Sequence, residues 1–216
     1  MGVFRHWPNR ITAIRFGMSA LLFWILAVEE PGGALGFELG SAWRAAAFWL
    51  FLVTAVTDVL DGWLARRGNC VTAFGRIADP FVDKVLVIGT MVLLLDAPAL
   101  ENASGVAIAA GRDYFAAWLV VVVAAREFLI TAIRGYVESL GAQLPADWMG
   151  KVKMAAQCTA LSAVLGLRAF DFGPDAAAFW HRAAQVFVWL TLVATIGSCL
   201  NYLVKTRRFL LEQSAG

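Results

Sequence analysis

Apolar residues run along this chain in long, almost unbroken blocks, and polar residues collect between them. Ile11 to Val28 forms the first block and stops at Glu29-Glu30-Pro31-Gly32-Gly33, and Ala42 to Leu60 forms the second. A third follows Pro80 and ends near Asp96-Ala97-Pro98, a fourth covers Tyr114 to Ile133, a fifth Lys153 to Leu167 and a sixth Ala183 to Tyr202. Roughly 20 apolar residues in an α-helix cross the hydrocarbon core of a bilayer, so the pattern predicts six transmembrane helices. Ahead of them, Met1 to Arg10 mixes Phe4 and Trp7 with Arg5 and Arg10, which suits a short helix lying in the membrane interface until Pro8 redirects the chain. Pro80 is expected in the first turn of the third span, where its missing N–H costs nothing. The fold class read from this pattern is an all-α integral membrane protein, one six-helix bundle plus a short N-terminal interfacial helix, forming a single domain over residues 1–216.

Composition agrees. Of 216 residues 60% are hydrophobic, and the mean hydropathy is +0.70, well beyond the soluble range of about half apolar. The first block is not followed by a small-residue cleavage site at a suitable distance, so it reads as a retained helix and not a signal peptide. A net charge of +2 gives no reason to expect a nucleic-acid partner, but its distribution fixes an orientation. Arg5, Arg10, Arg15, Arg66, Arg67, Arg76, Lys84, Arg134, Lys151, Lys153, Lys205, Arg207 and Arg208 fall on one side of a six-span arrangement. Opposite them are Arg44, Arg112, Arg168 and Arg182, mixed with Glu29, Glu30, Glu38, Asp96, Glu101, Asp113, Asp171 and Asp175. Basic residues near span ends stay in the cytoplasm, which puts both termini there. Cys70, Cys158 and Cys199 are scattered and read as small core residues; His6 and His181 have no His, Cys or acidic neighbour at metal-ligand spacing.

One stretch breaks the apolar pattern with chemistry. Asp58-Val-Leu-Asp61-Gly62-Trp-Leu-Ala65-Arg66 is followed, after eight residues, by Gly75-Arg-Ile-Ala-Asp79-Pro-Phe-Val-Asp83. The i, i+3 pair Asp58/Asp61 shares one helix face and the i, i+4 pair Asp79/Asp83 another, so two facing helices could bring four carboxylates together. Unpaired charge costs several kcal/mol at membrane depth, and such a cluster needs cations. Hard oxygen ligands suit Mg²⁺ or Mn²⁺, which neutralise a diphosphate and help a nucleotide monophosphate leave. Gly62 and Ala65 let a nucleotide approach the backbone, Arg66 can bind phosphate or cap its helix, and Gly75 permits a tight turn into the next helix. Farther on, Arg126 and Glu127 lie inside the fourth span, where charges face a cavity or each other, and Arg134, Lys151 and Lys153 gather where the fourth and fifth helices leave the membrane. Together these cations could hold a small anionic acceptor.

The acidic stretch matches D-x2-D-G-x2-A-R-x8-G-x3-D-x3-D at every defined position, and on it the chain resembles the CDP-alcohol phosphatidyltransferase superfamily. The resemblance implies about six spans, a cytoplasmic-side site, a homodimer and two divalent cations held by the motif acids. By that resemblance Asp58, Asp61 and Asp79 are metal ligands, and Asp83 completes the metal site and acts as general base on an acceptor hydroxyl. Gly62, Ala65 and Arg66, with Asp61 and Gly75, belong to the part that holds CDP-diacylglycerol. Three further segments resemble the bacterial phosphatidylglycerophosphate synthase branch: Pro8-Asn9-Arg10-Ile11-Thr12 through Arg15, Ala125-Arg126-Glu127, and Gly150-Lys151-Val152-Lys153. They add Asn9 and Thr12 to the expected donor site and Arg126, Arg134, Lys151 and Lys153 to an acceptor-phosphate site. Met154, where that branch often has Thr, and His6-Trp7, where it often has Asn-Leu, depart from it.

The activity so implied is transfer of the phosphatidyl group of CDP-diacylglycerol to glycerol 3-phosphate, releasing CMP, in a bacterial inner membrane among membrane lipids. Serine, inositol phosphate and phosphatidylglycerol are the competing acceptors; serine lacks a phosphate and has less use for four cations. A cation transporter would spread its acids across the bilayer, whereas these gather at one side, and an inactive scaffold would tolerate loss of a motif acid.

Overall fold

Six helices of 22 residues or more dominate the computed structural model, which describes residues 7–28, 40–68, 73–102, 104–141 and 148–214. They are α1 (Trp7–Val28), α2 (Ser41–Gly68), α3 (Ala73–Asp96), α5 (Ala117–Ser139), α6 (Trp148–Ala169) and α7 (Pro174–Ser214), with a single turn, α4 (Gly111–Tyr114), between α3 and α5. Leu100–Glu101 (β1) and Ala107–Ile108 (β2) pair antiparallel, Leu100 opposite Ile108, and make the one departure from an all-helical chain among the described residues.

α1 packs on α2 and α3, α6 lies along α7 and α2, and α5 is held by α3 and α7. Leu22, Ile25, Phe51, Leu86, Met91, Phe115, Leu161 and Val164 fill the space between them. The outer faces differ from those of a water-soluble bundle in being apolar. On α7, Val186, Trp189, Val193, Ile196 and Leu200 point outward, while Thr191, Thr195, Ser198, Tyr202 and Thr206 are buried at spacings of three and four. An apolar outer face, with polar side chains turned inward beside the apolar core, is the arrangement lipid solvates. Ile11–Val28 and Pro174–Arg207 are apolar enough to cross a membrane, with mean hydropathy 1.9 and 1.8. The other long helices carry charges within their length, such as Arg126 and Glu127 on α5.

Several boundaries differ from the sequence expectation. Trp7 to Arg10 continue directly into α1, because a proline in the first turn is compatible with a helix, and the rest of the expected interfacial segment, residues 1–6, lies outside the described residues. Pro80 lies in the interior of α3, which begins seven residues earlier at Ala73. It offers no donor to the carbonyl four residues before it, and its own carbonyl accepts the Lys84 Nζ at 2.8 Å. The fourth long helix starts at Ala117, not Tyr114, since extended backbone at Phe115 (φ −112°, ψ 95°) separates it from α4, and it runs on to Ser139. α2 and α7 continue well past their apolar blocks, because hydropathy marks membrane depth whereas helix length also includes the charged turns beyond it.

Up-and-down alternation of the helices gives the molecule two chemically distinct ends. At one, Arg168 Nη1 donates to the Pro98 carbonyl at 2.8 Å, Asn102 Nδ2 donates to the Phe172 carbonyl at 2.9 Å, and the Tyr114 hydroxyl is hydrogen-bonded to His181 Nδ1 at 2.7 Å. Burial pushes the Tyr114 phenol up to about 12, so it stays neutral in that contact. Gly111 closes this end: its N–H donates to the Ala97 carbonyl at 2.9 Å, and a Cβ there would sit 1.6 Å from the Leu94 carbonyl oxygen. At the other end lie the first turns of α3 and α6 and the later turns of α5 and α7.

Candidate acceptor and catalytic site

Four helices present one face each to a cavity of about 700 Å³ at that second end. α3 contributes Pro80, Asp83, Lys84, Val87 and Ile88, spaced i, i+3, i+4, i+7 and i+8; α5 contributes Arg126, Glu127, Ile130, Thr131, Arg134, Gly135 and Glu138. α6 contributes Gly150, Lys151, Lys153, Met154 and Gln157, and α7 contributes Tyr202. These spacings are single stripes of a 3.6-residue period, so the cavity follows from helix packing alone.

All four cations expected at an acceptor site, Arg126, Arg134, Lys151 and Lys153, line this cavity together with Asp83. With Lys84 the wall carries five cations against the carboxylates of Asp83, Glu127 and Glu138, a surplus that favours an anionic guest. Glu127 is the hub of an ion-pair network. Lys153 Nζ donates to its Oε1, Arg126 Nη1 donates to the same oxygen at 3.1 Å, and Arg126 Nη2 donates to Ser198 Oγ at 2.9 Å. Arg126 and Glu127 thus face both each other and the cavity. Arg134 lies over the Tyr202 ring, 6.0 Å from its centroid, within reach of a cation–π contact. Lys151 is exposed at the rim, whereas Lys153 is buried.

Asp83 is bound to a residue that the sequence had placed among the cytoplasmic-side cations and at the end of the Pro8-to-Arg15 segment, without a role in the site. Arg15, in the middle of α1 and buried, donates its Nη2 to Asp83 Oδ1. A clue was available in the sequence, because Arg15 is a charge inside an apolar block, and such charges seek partners. Gln157 and Tyr202 also went unrecognised; Gln157 follows Lys153 by four positions and so shares its face.

Thr12 is buried on α1, one turn before Arg15, and does not line this cavity. Asp58 and Asp61 lie on α2, ten and seven residues before its last residue, and Asp79 and Asp83 on α3, six and ten residues after its first. Beyond those places on their helices, Asn9, Asp58, Asp61, Gly62, Ala65, Arg66, Gly75 and Asp79 lie outside the described residues, as do His6 and Cys70. Among the described residues no group of three or more His, Cys, Asp or Glu side chains is positioned to hold a metal ion. The donor set in the sequence, four carboxylates toward the end of α2 and the start of α3, has the hard-oxygen chemistry that Mg²⁺ and Mn²⁺ require.

The family model for CDP-alcohol phosphatidyltransferase matches residues 5–197. The chain is similar to the CDP-diacylglycerol--glycerol-3-phosphate 3-phosphatidyltransferase of Bacillus subtilis (strain 168), 32% identical over 189 residues, which cover 87% of this chain and 90% of that one. It is similar to the protein of the same name in Escherichia coli (strain K12), 34% identical over 208 residues, covering 93% of this chain and all of the relative. A third relative of that name, from Shigella flexneri serotype 5b, is 34% identical over 207 residues.

Proposed function

We propose, from the premise that this chain belongs to the CDP-alcohol phosphatidyltransferase family, that it moves the phosphatidyl group of CDP-diacylglycerol to glycerol 3-phosphate, releasing CMP. The observation that carries this choice of acceptor is the cavity in which Asp83 meets Arg126, Arg134, Lys151 and Lys153. A phosphate with about two negative charges matches such a wall. Each charge-assisted hydrogen bond contributes roughly 1.5–3 kcal/mol, so two of them suffice for the ~4 kcal/mol of a millimolar affinity. Serine lacks a phosphate, and its single carboxylate comes with an ammonium group that those cations repel.

In this reading Lys151 at the rim draws the acceptor in, and Arg126, Arg134 and Lys153 fix its phosphate, which leaves the hydroxyl end toward α3. The hydroxyl oxygen attacks the phosphorus joined to diacylglycerol, the bond from that phosphorus to the CMP oxygen breaks, and the hydroxyl proton passes to the Asp83 carboxylate. Arg15 orients that carboxylate from behind. Asp58, Asp61, Asp79 and Asp83 are the residues that would hold two divalent cations, Mg²⁺ or Mn²⁺, whose charge offsets that of the diphosphate and the departing CMP. Asn9, Thr12, Asp61, Gly62, Ala65, Arg66 and Gly75 form the donor side, with the acyl chains left in the bilayer.

The membrane arrangement completes the proposal: a single domain with six crossings, a multi-pass protein of a bacterial inner membrane, both termini and the site on the cytoplasmic side, working as a homodimer. Six helices of at least 22 residues, each ~33 Å or longer at 1.5 Å per residue, support six crossings. Lys84, Arg134, Lys151 and Lys153 at the site end support the orientation. The test of the function is CMP release by the purified protein given CDP-diacylglycerol, Mg²⁺ and one acceptor at a time. Turnover with glycerol 3-phosphate is expected; turnover confined to serine or inositol phosphate contradicts the proposal.

A further inference from the structure

Glu127 gathers cations from two helices onto one atom. Its Oε1 accepts from Lys153 Nζ on α6 and, at 3.1 Å, from Arg126 Nη1 on α5. Two donors on one oxygen can be no more than about 6 Å apart, a span that the oxygens of a single phosphate bridge. The side chains of Lys153, Arg126 and Glu127 are only 6%, 11% and 12% exposed, so without the carboxylate two like charges would repel each other largely out of water. A second tether comes from behind the wall. Arg126 Nη2 donates to Ser198 Oγ at 2.9 Å, and Ser198 Oγ donates its own proton to the Thr195 carbonyl at 3.1 Å. With that proton committed, the hydroxyl oxygen is left as an acceptor, the role a guanidinium requires. Ser198 is 1% exposed and does not line the cavity, so it can act on a ligand there only through Arg126. The tethers leave donors over: Glu127 takes one of the N–H groups of Lys153, and Arg126 keeps a buried Nε that has no partner.

We infer that Glu127 and Ser198 are positioning residues for the acceptor: they fix Lys153 and Arg126 at the span of one phosphate, so that cations from α5 and α6 act as a single clamp. This rests on the function proposed above. Glu127 contributes charge and geometry together. It keeps the two cations close in the empty cavity, where repulsion would otherwise spread them, and the length of its side chain sets where they meet. Ser198 contributes geometry alone, because a hydroxyl carries no charge. The acceptor phosphate then meets donors already in place and does not itself have to order two long side chains, a cost that would otherwise be taken from its binding energy. Nothing in this arrangement involves CDP-diacylglycerol, so its effect is confined to the acceptor.

The test is steady-state CMP release by the purified protein in detergent micelles with Mg²⁺, glycerol 3-phosphate and CDP-diacylglycerol being varied in turn, alongside melting curves. Glu127→Gln should raise the KM for glycerol 3-phosphate at least about tenfold and Ser198→Ala about three- to tenfold, with less than about a twofold change in the KM for CDP-diacylglycerol. Glu127→Asp separates position from charge. It keeps the carboxylate but one methylene short, so its Tm should lie nearer wild type than that of Glu127→Gln while its acceptor KM stays at least about threefold raised. Ser198→Ala leaves every charge in place and keeps the inference open to refutation should Glu127→Gln not fold. Equal KM changes for the two substrates in Ser198→Ala and Glu127→Asp are what a merely structural role gives, and they overturn the inference. So does an acceptor KM that falls in Glu127→Gln, which would make the carboxylate a competitor of the phosphate. Absence of turnover with glycerol 3-phosphate in the wild-type protein overturns the proposed function and this inference together, whereas wild-type turnover with an unchanged acceptor KM in Ser198→Ala and Glu127→Asp overturns the inference alone.

Discussion

Arg15 on α1 and Asp83 on α3 form an ion pair across 68 positions of sequence, with the arginine side chain only 2% exposed. The pair ties the first helix to the residue assigned the proton transfer. Breaking a buried pair by removing one partner costs about 3–5 kcal/mol; Asp83 is roughly a quarter exposed at the cavity wall, which puts this case at the lower end. Arg15→Met should therefore lose about 3 kcal/mol, or roughly 6–12 °C in Tm at this chain length, and lower CMP release as well. Arg15→Lys should recover part of the stability, since the charge remains while the planar fork is lost. A melting curve in detergent for each variant checks this, and a Tm for Arg15→Met within 2 °C of wild type contradicts it.

Lys151 and Lys153 are two residues apart and should fail in different ways. Lys151 is exposed at the cavity rim, so Lys151→Ala is expected to change stability by less than about 1 kcal/mol. It should raise the KM for glycerol 3-phosphate about 10- to 100-fold with a much smaller effect on CDP-diacylglycerol. Lys153 is buried and bound to Glu127, so Lys153→Met should lower both acceptor affinity and Tm. Steady-state kinetics with each substrate varied in turn, alongside melting curves, separates the two. Equal KM effects of Lys151→Ala on donor and acceptor would refute its acceptor role.

Removing divalent cations should abolish turnover reversibly. EDTA is expected to stop CMP release and added Mg²⁺ or Mn²⁺ to restore it, because the proposed site of four carboxylates would need positive charge. Metal binding to the folded state should also raise Tm in proportion to RT ln(1 + [L]/Kd). In Asp61→Asn, with one ligand gone, that metal-dependent rise should shrink, and a rise equal to the wild-type one removes Asp61 from the site.

Sequence pattern reached the essentials of this architecture because the signals involved are local. Apolar blocks located the long helices, and Asp83, Arg126, Arg134, Lys151 and Lys153 could be singled out as charges where hydrophobic residues were expected. The structure brings those five to one cavity. Partnerships between helices were not legible: nothing near Arg15 in sequence names Asp83, and His181, which looked isolated, is bonded to Tyr114, 67 positions away. The extent of α3 before Pro80 was hidden for another reason, since a proline usually marks a helix start, whereas here it lies inside the helix. Gln157 and Tyr202 were unreadable because their burial at the cavity wall is set by how the helices pack and not by their neighbours in sequence.

The end of the bundle opposite the cavity offers a test of packing independent of chemistry. Gly111→Ala would drive a methyl into the Leu94 carbonyl oxygen, 1.6 Å from the new Cβ, at a place where backbone must move. A loss of at least about 3 kcal/mol is expected. Gly17→Ala on α1 has nothing within 4 Å of its Cβ and should be neutral or stabilise by up to roughly 1 kcal/mol through helix propensity. Melting temperatures of the two variants should fall on opposite sides of wild type or leave Gly17→Ala level with it; a Gly111→Ala protein as stable as wild type contradicts the packing at this end.

The central claim, that a cavity joining Asp83 to four cations makes glycerol 3-phosphate the phosphatidyl acceptor, is tested most directly by the mass of the lipid product. Purified protein is given CDP-diacylglycerol and Mg²⁺ with glycerol 3-phosphate, serine and inositol phosphate present together at equal concentration. The predicted result is one new lipid with the mass of phosphatidylglycerophosphate, formed in step with CMP. A product with the mass of phosphatidylserine or phosphatidylinositol phosphate, or no lipid product at all, would contradict it.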